Sequence, residues 1–394
     1  VVEALPHVRS VAWVLLVTAG SATDPEGQSG AAQILNGMVY RGAGERDARA
    51  LSNALDELGV QRGGGVGTEY TTFSGALLAE DFDAALALYA DIVRRPQLPA
   101  AELDAVRALT LQSIQSLNDN PAQRLFVEFG KAYFPGPFGR SSLGEADELE
   151  RFDHALLQAD HAARYQPADA ILSVAGGLEP EQVRATVERL FGDWQGTPPA
   201  VPQPQARTEP LYHHVQQETA QTQIAIAYTS RALDDPFYYH ERLGLTVLSG
   251  SMASRLFTEV RIKRGLVYSV YATPRLHKGL GLVLGYAGTQ PSRAQETVEV
   301  MLSELRNLSA GVTEDELSRA RTGLLSALVM QGESTTARAS VMASDLFLIG
   351  RPRSLDEIRS AVDAITLDGL NQYLAQNPPQ HFTVVTLGPA PVEL

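Results

Sequence analysis

A proline-rich break near the middle of the chain, Gly196-Thr-Pro-Pro-Ala-Val-Pro-Gln-Pro-Gln-Ala-Arg-Thr-Glu-Pro210, constrains the fold more than any other feature of this sequence. Four prolines precede the last one and almost nothing large and apolar is available to bury, so the segment reads as an extended linker. It divides the chain into nearly equal halves that run in the same order. Each opens with an apolar strand candidate (Val11 to Thr18; Gln223 to Thr229), then shows helical periodicity (Gly30 to Met38; Tyr239 to Leu248) and a second helix. A strand pair follows in each: Gly65 to Ala79, two strands meeting near Gly67, and Val267 to Thr273 with Leu280 to Tyr286 around Lys278-Gly279. Long helices then cover Ala100 to Leu117 and Glu314 to Met330, the latter opening on Thr313-Glu-Asp-Glu316, the pattern of a capping box. Both halves close on a Tyr, a Pro, an apolar run and a Gly, at Tyr165 to Gly176 and Tyr373 to Gly388. This order predicts an α+β protein of two homologous domains, 1–195 and 211–394, joined by the linker 196–210. Each domain is expected to be a mostly antiparallel mixed sheet covered by helices. A single continuous α/β sheet would need regular βαβ alternation and would give no reason for a proline linker at the middle.

Composition narrows the function. With 44% hydrophobic and 20% charged residues the chain is neither disordered nor fibrous. The 32 Lys and Arg against 46 Asp and Glu leave a formal charge of −14, which opposes contact with phosphate backbones, so no nucleic acid partner is expected. Such acidity suits basic peptides, though it also simply keeps a protein soluble. The absence of Cys removes disulfides, thiolate zinc sites, iron–sulfur clusters and cysteine nucleophiles together, so any metal must be held by His and carboxylates. The apolar stretch Val11 to Val17 falls short of the roughly 20 residues of a membrane span. Only Arg9, diluted by Glu3, precedes that stretch, which is not the basic leader of an export signal. The expected compartment is the cytoplasm, or the periplasm if processing has removed a leader ahead of Val1.

Most candidate motifs reduce to structure. Gly63-Gly-Gly-Val-Gly67 lacks the Lys-Ser/Thr of a phosphate loop and leads into a strand, so it reads as a flexible turn. No two of the eight His stand at the i, i+4 spacing that places two ligands on one helix face, and His213-His214, on a strand, point apart. No Gly-x-Ser-x-Gly elbow is present. The segment Gly250 to Val270 is more specific: a loop, a helix and a strand place Arg261 and Tyr268 seven residues apart across a helix-to-strand turn.

That segment, with Ser254-Arg-Leu-Phe257, Arg261, Gly265-Leu266 and Tyr268, resembles the second domain of the pitrilysin and insulinase family of zinc peptidases, which includes mitochondrial processing peptidase. The first half fits as well, through Val8-Arg-Ser-Val-Ala, Gly20-Ser21, Gly30, Met38, Arg41-Gly42, the Leu55 to Gly59 turn and Glu69-Tyr70-Thr71, so the resemblance covers the whole chain. Active members carry an inverted His-x-x-Glu-His, whose imidazoles bind zinc while the Glu activates the metal-bound water, with a distal Glu completing the site. Here the segment is Gln33-Ile-Leu-Asn36-Gly37. Gln33 and Gly37 stand at the two His positions, Asn36 at the base, and Ser113 at the distal Glu. A glycine supplies no ligand and an amide cannot act as a base near neutral pH. The resemblance therefore implies no cofactor in this chain and zinc in a partner subunit. Arg261 and Tyr268, by contrast, match the Arg/Tyr pair that in the family reaches the peptide carbonyl from the opposite domain, where a guanidinium and a phenol would stabilise developing negative charge.

The resemblance also implies that two such domains form a half-shell, that two half-shells close over a peptide chamber, and that substrate adds as a strand to a sheet edge. The matching segment is Gly64 to Thr71, with Gly65, Val66, Gly67, Thr68, Glu69 and Tyr70 as the substrate-binding residues. One departure from the non-catalytic subunit of processing peptidase is the loop before Ser-Arg-Leu, long and glycine-rich there and only Ser249-Gly250-Ser251 here. The function implied is that of a zinc-less subunit of a bacterial-type two-chain metallopeptidase. It would be inactive alone, would meet unfolded peptide together with a zinc-bearing homologous partner, and would be free to form a homodimer in isolation. The alternative is a structural or peptide-binding homologue, like the family's relatives among the core subunits of a respiratory complex. An independent peptidase would need a new His and Glu cluster, and the sequence offers none.

Overall fold

The computed structural model describes residues 1–394. The chain packs into two compact units, one of residues 1–116, 140–202 and 331–352, the other of residues 117–139, 203–330 and 353–394.

The first unit contains strands β1 (Val2–Ala4), β2 (Ser10–Val17), β3 (Gly42–Ala43), β4 (Arg46–Asp47), β5 (Gln61–Val66), β6 (Thr71–Leu78) and β7 (Ile171–Gly176). Five of them form a sheet in the order β1-β7-β2-β6-β5, with β1 and β7 parallel and the other pairs antiparallel; β3 and β4 make a small ladder of their own. Helices α1 (Ala31–Met38), α2 (Ala48–Glu57), α3 (Phe82–Arg94) and α4 (Ala100–Ser116) follow in chain order, with His154–Arg164 and Pro180–Phe191 later.

Every residue from Val11 to Val17 on β2 is buried, an unusual run for a strand between antiparallel neighbours. The pleat explains it, because successive side chains point to opposite faces. Trp13, Leu15 and Val17 enter the main core with Ile34, Leu51, Phe73 and Tyr89. Ala12, Val14 and Leu16 point the other way, into a second core with Ala339, Ala343 and Phe347. Those partners belong to the helix Thr335–Ile349, which lies more than 300 residues away in sequence and packs on β2 and β7. Covering both faces turns an alternating strand into a continuous apolar one. The indole of Trp13 also explains a glycine inside β6. Gly75 is its cross-strand partner, and a Cβ there would lie 2.3 Å from the ring.

The second unit repeats the plan with β8 (Leu211–Gln216), β9 (Thr222–Ser230), β10 (Val267–His277), β11 (Leu280–Thr289) and β12 (Thr383–Gly388), in the order β10-β11-β9-β12-β8. Strand for strand this is the order of the first sheet, and again only the last pair, β8 with β12, is parallel. The helix packed on β9 and β12 is α5 (Pro121–Tyr133), from the first half of the sequence, and its Tyr133 hydroxyl meets Thr229 Oγ1 at 3.0 Å. Each unit thus takes one helix from the other half of the chain, because each sheet has a second apolar face that its own helices do not reach. The segment 196–210 carries neither helix nor strand, and the unit boundary falls inside it. The expected capping box is formed: Glu316 N–H donates to Thr313 Oγ1 at 3.3 Å and Thr313 N–H to Glu316 Oε2 at 2.8 Å. No helix is long and apolar enough to cross a membrane.

Candidate functional site

In the first unit the residues singled out for metal chemistry lie on α1 and α4. Helix α1 starts at Gly30, whose φ of +97° suits glycine, and is held by Asp24, which accepts the N–H groups of Gly30 (2.7 Å) and Ala32 (2.9 Å). Arg164, buried with Asp24 and Asp160, lies 3.0 Å from Asp24 and binds the Asp160 carboxylate with its other edge. The buried ionic triad therefore fixes where α1 begins.

Gln33 and Asn36, one turn apart, share a half-buried face of that helix. Gly37 has no room for a side chain. A Cβ built there would stand 2.7 Å from Val106 Cγ1, and Val106, on α4, is 4% exposed. Ser113 lies exposed two turns further along α4 and donates its hydroxyl to the Leu109 carbonyl of its own helix at 2.9 Å. Zinc needs three or four imidazole, thiolate or carboxylate donors converging on one point. Two amides, an occluded glycine and a hydroxyl turned to the backbone do not fit it, and no group of three or more His, Cys, Asp or Glu in the chain could hold a metal ion. His213 and His214 sit side by side on β8, with His214 Nδ1 at 2.9 Å from Thr386 Oγ1.

The strand β5 beside α1 is the edge of its sheet and is largely exposed. Gly65 and Val66 lie on that edge, and Gly67, Thr68, Glu69 and Tyr70 form the turn into β6, closed by the Gly67 N–H to the Tyr70 carbonyl at 2.9 Å. The Gly67 and Thr68 carbonyls are occupied, accepting N–H groups from Ser21 (3.0 Å) and Ala22 (2.9 Å). Glu69 is buried, and the Tyr70 ring meets Phe347 edge-on at 4.8 Å. Burial first, and the charge of Glu69 second, push the Tyr70 phenol above its ordinary range. Of the six residues, Gly65 and Val66 present an open strand edge; the other four make up a tied-down turn.

The second unit brings Arg261 and Tyr268 together. Residues Phe257–Ile262 form a π-helix, in which Lys263 N–H reaches back to the Thr258 carbonyl at 2.9 Å. Gly265, with φ +60°, ends it, and the chain reverses into β10. There the register slips: Val267 pairs with Thr289 and Ser269 with Gly288, so Tyr268 is the extra residue of a β-bulge. It is 80% exposed. The Arg261 guanidinium lies 4.8 Å from the centre of its ring and 4.9 Å from that of Phe257, sandwiched between the two. The neighbouring carboxylate, Glu259, is engaged by Lys263 (2.6 Å) and Arg264 (2.8 Å), so the rings hold Arg261. The result is a cation and a phenol side by side at a sheet edge, able to donate several N–H bonds and one O–H to an oxyanion.

The edges of the two sheets differ. β10 is the counterpart of β5, yet its Ala272 N–H is taken by Ser249 Oγ at 2.7 Å and two residues on Pro274 has no N–H. That edge is blocked against strand addition, and β5, rich in glycine, is not.

Comparison with known proteins points to one family. The peptidase M16 inactive-domain family matches residues 151–324, and insulinase (peptidase family M16) matches residues 1–144. An uncharacterized zinc protease of Bacillus subtilis is 27% identical over 99% of this chain and 96% of its own length. One of Mycobacterium tuberculosis is 27% identical over 99% of this chain and 90% of its own length. Among solved structures, a peptidase M16 inactive domain from Pseudomonas fluorescens superposes with a TM-score of 0.90 at 22% identity, covering 100% of this chain and 96% of that one. A protease from Helicobacter pylori gives 0.88 at 19% identity, covering 98% and 95%. The chain belongs to peptidase family M16, the pitrilysin family.

Two residues that shape these sites carried no role in the sequence reading. Val106 fills the space at Gly37, and a valine in a helix gives no sign of what it faces. Phe257 stacks on Arg261, and its i, i+4 spacing from Arg261 is the signal that could have found it.

Proposed function

We propose that this chain is the zinc-less subunit of a two-chain pitrilysin-family metallopeptidase. It lends Arg261 and Tyr268 to a zinc-bearing homologous partner and helps hold an unfolded peptide substrate. The observation that carries the reading is the contrast between the two faces. On α1 and α4 the positions that would carry the family's zinc ligands hold Gln33, Asn36, Gly37 and Ser113, with Val106 crowding Gly37, whereas Arg261, half-buried, and Tyr268, exposed, are stacked and built on two local irregularities of the backbone. A π-helix and a β-bulge both depart from regular pairing and recur at functional sites. In the proposed role the guanidinium and the phenol donate to the peptide carbonyl oxygen as it gains charge. Donors aimed at developing charge contribute about 2.7–4 kcal/mol each when they are removed from an oxyanion site. The open β5 edge, at Gly65 and Val66, would take the peptide main chain by strand addition.

The second reading, a structural or peptide-binding homologue without part in catalysis, is favoured by the loss of the zinc face alone. Two variants separate them. With the partner present, Tyr268→Phe should slow peptide cleavage by about tenfold or more, at least ~1.4 kcal/mol of barrier, and Arg261→Ala by more. Unchanged turnover in both would return the pair to an ordinary surface stack and leave the scaffold reading in place.

A further inference from the structure

Tyr268 stands on a single-residue bulge at a sheet edge, so its aim depends on what fixes the turn before it. Leu266 closes that turn. Its N–H returns to the Val260 carbonyl at 3.0 Å, and its own carbonyl accepts the Thr289 hydroxyl at 2.7 Å. Thr289 is 1% exposed and pairs with Val267, the last regular position before the bulge. Behind it the fully buried Thr297 Oγ1 lies 3.1 Å away, and on the outer side Arg293 donates to the Arg264 carbonyl at 3.2 Å. Apolar packing alone would accept valine here, which fills a similar volume with a comparable strand preference; what the hydroxyl adds is a donor for the buried Leu266 carbonyl.

We propose that Thr289 is a positioning residue. Its hydroxyl pins the Leu266 carbonyl, and that pin sets the bulge so that the Tyr268 ring meets the Arg261 guanidinium before any substrate arrives. The inference rests on the reading of Arg261 and Tyr268 as the pair lent to a partner. Its physical content is that a donor pair held in place needs no reorganisation when charge develops between its members and the substrate. Without the Thr289 hydroxyl the Leu266 carbonyl is left buried and unpaired, the peptide unit turns to find a partner, and the Tyr268 ring leaves its place 4.8 Å from the guanidinium.

The test compares Thr289→Val, which removes only the hydroxyl, with Thr289→Ser, which keeps it. In the isolated chain, Arg261 side-chain protons should show upfield ring-current shifts by NMR in the wild type and in Thr289→Ser, and in Thr289→Val should lose the part owed to the Tyr268 ring while keeping that of Phe257. In the paired enzyme, kcat should fall about tenfold in Thr289→Val with KM held within about twofold, and Thr289→Ser should restore it. A Thr289→Val chain that keeps both the ring-current shifts and kcat overturns the proposal, as does a Thr289→Ser chain that behaves like the valine variant. Should the valine variant fail to fold, the wild type still decides. The Thr289 hydroxyl proton must then be visible and slowly exchanging, and rapid exchange with water counts against the pin. Because the NMR readout needs no partner, it separates failure of this inference from failure of the trans-acting reading, which Arg261→Ala and Tyr268→Phe test alone.

Discussion

Replacing Phe347 by alanine tests the helix that completes the first sheet. Phe347 is 6% exposed, on a helix whose buried face covers Ala12, Val14 and Leu16, and its ring meets Tyr70 at 4.8 Å and 73°. Removing a buried phenylalanine costs about 3–5 kcal/mol once the residual cavity is counted, part of it from the lost edge-on aromatic contact. With an unfolding entropy of roughly 2.1 cal/mol/K per residue, a loss of ~4 kcal/mol lowers Tm by about 5 °C if the whole chain melts as one transition. It lowers Tm by roughly twice as much if the first unit, about half the chain, melts alone. Scanning calorimetry distinguishes the two, and urea titration supplies the free energy. Met330→Ala, at a position 74% exposed near the end of the preceding helix, is the control and should change stability by no more than ~0.5 kcal/mol. A Phe347→Ala loss below about 1 kcal/mol would refute the claim that this helix supplies the second core of the sheet.

Other consequences concern the remaining sites. Arg255, by hydrogen bonding directly to it, holds the Glu316 carboxyl down to about 2, so its contribution to stability is present above the unfolded-state value near 4.5 and lost as pH falls towards 2. Glu316→Gln should therefore lose stability at pH 7, by up to roughly 3 kcal/mol, and flatten the pH profile between 4.5 and 2, readable by thermal melts across that range. Placing metal ligands at these positions alone, with Gln33→His, Asn36→Glu, Gly37→His and Ser113→Glu, should give no stoichiometric zinc by metal analysis, because a side chain at position 37 would press its Cβ to 2.7 Å from Val106 Cγ1. Adding Val106→Ala should open the site, and zinc binding by the fourfold variant without it would contradict the packing argument. Arg261→Ala and Tyr268→Phe, at partly or largely exposed positions, should leave Tm within a few degrees of the wild type, so any loss of turnover in the paired enzyme is not a loss of fold.

Much of the architecture was legible because it rests on local chemistry. The strand pair around Lys278-Gly279, the Thr313–Glu316 cap and the apolar closing strands are written in period and turn residues and stand where expected, whereas Gly63 to Val66, which read as a flexible turn, extend the first pair as part of β5 from Gln61. The repeated order of elements likewise foretold two sheets of one topology. The exchange of α5 and Thr335–Ile349 between the sheets was not legible. Both are ordinary apolar helices, and the partner of an apolar face is a long-range property. The clue lay in β2, whose unbroken burial means two covered faces, although an apolar run by itself does not say which helix covers the second. For the site, the sequence shows that Gln33, Asn36, Gly37 and Ser113 offer neither an imidazole nor a carboxylate at the positions that resemble the family's zinc ligands. The packing of Val106 against Gly37, the π-helix before Gly265 and the bulge at Tyr268 needed coordinates, because each is a one-residue departure from regular geometry that leaves the residue pattern unchanged.

The central claim, that this chain completes a peptidase it cannot be alone, is tested most directly by purifying it with and without co-eluting protein from its source. Zinc content and hydrolysis of an unfolded peptide are measured in both preparations. The account predicts no stoichiometric zinc and no cleavage for the chain alone, and both for the preparation that holds a homologous zinc-bearing subunit, with cleavage falling at least about tenfold when the chain carries Tyr268→Phe. Stoichiometric zinc and peptide cleavage by the isolated chain would contradict it.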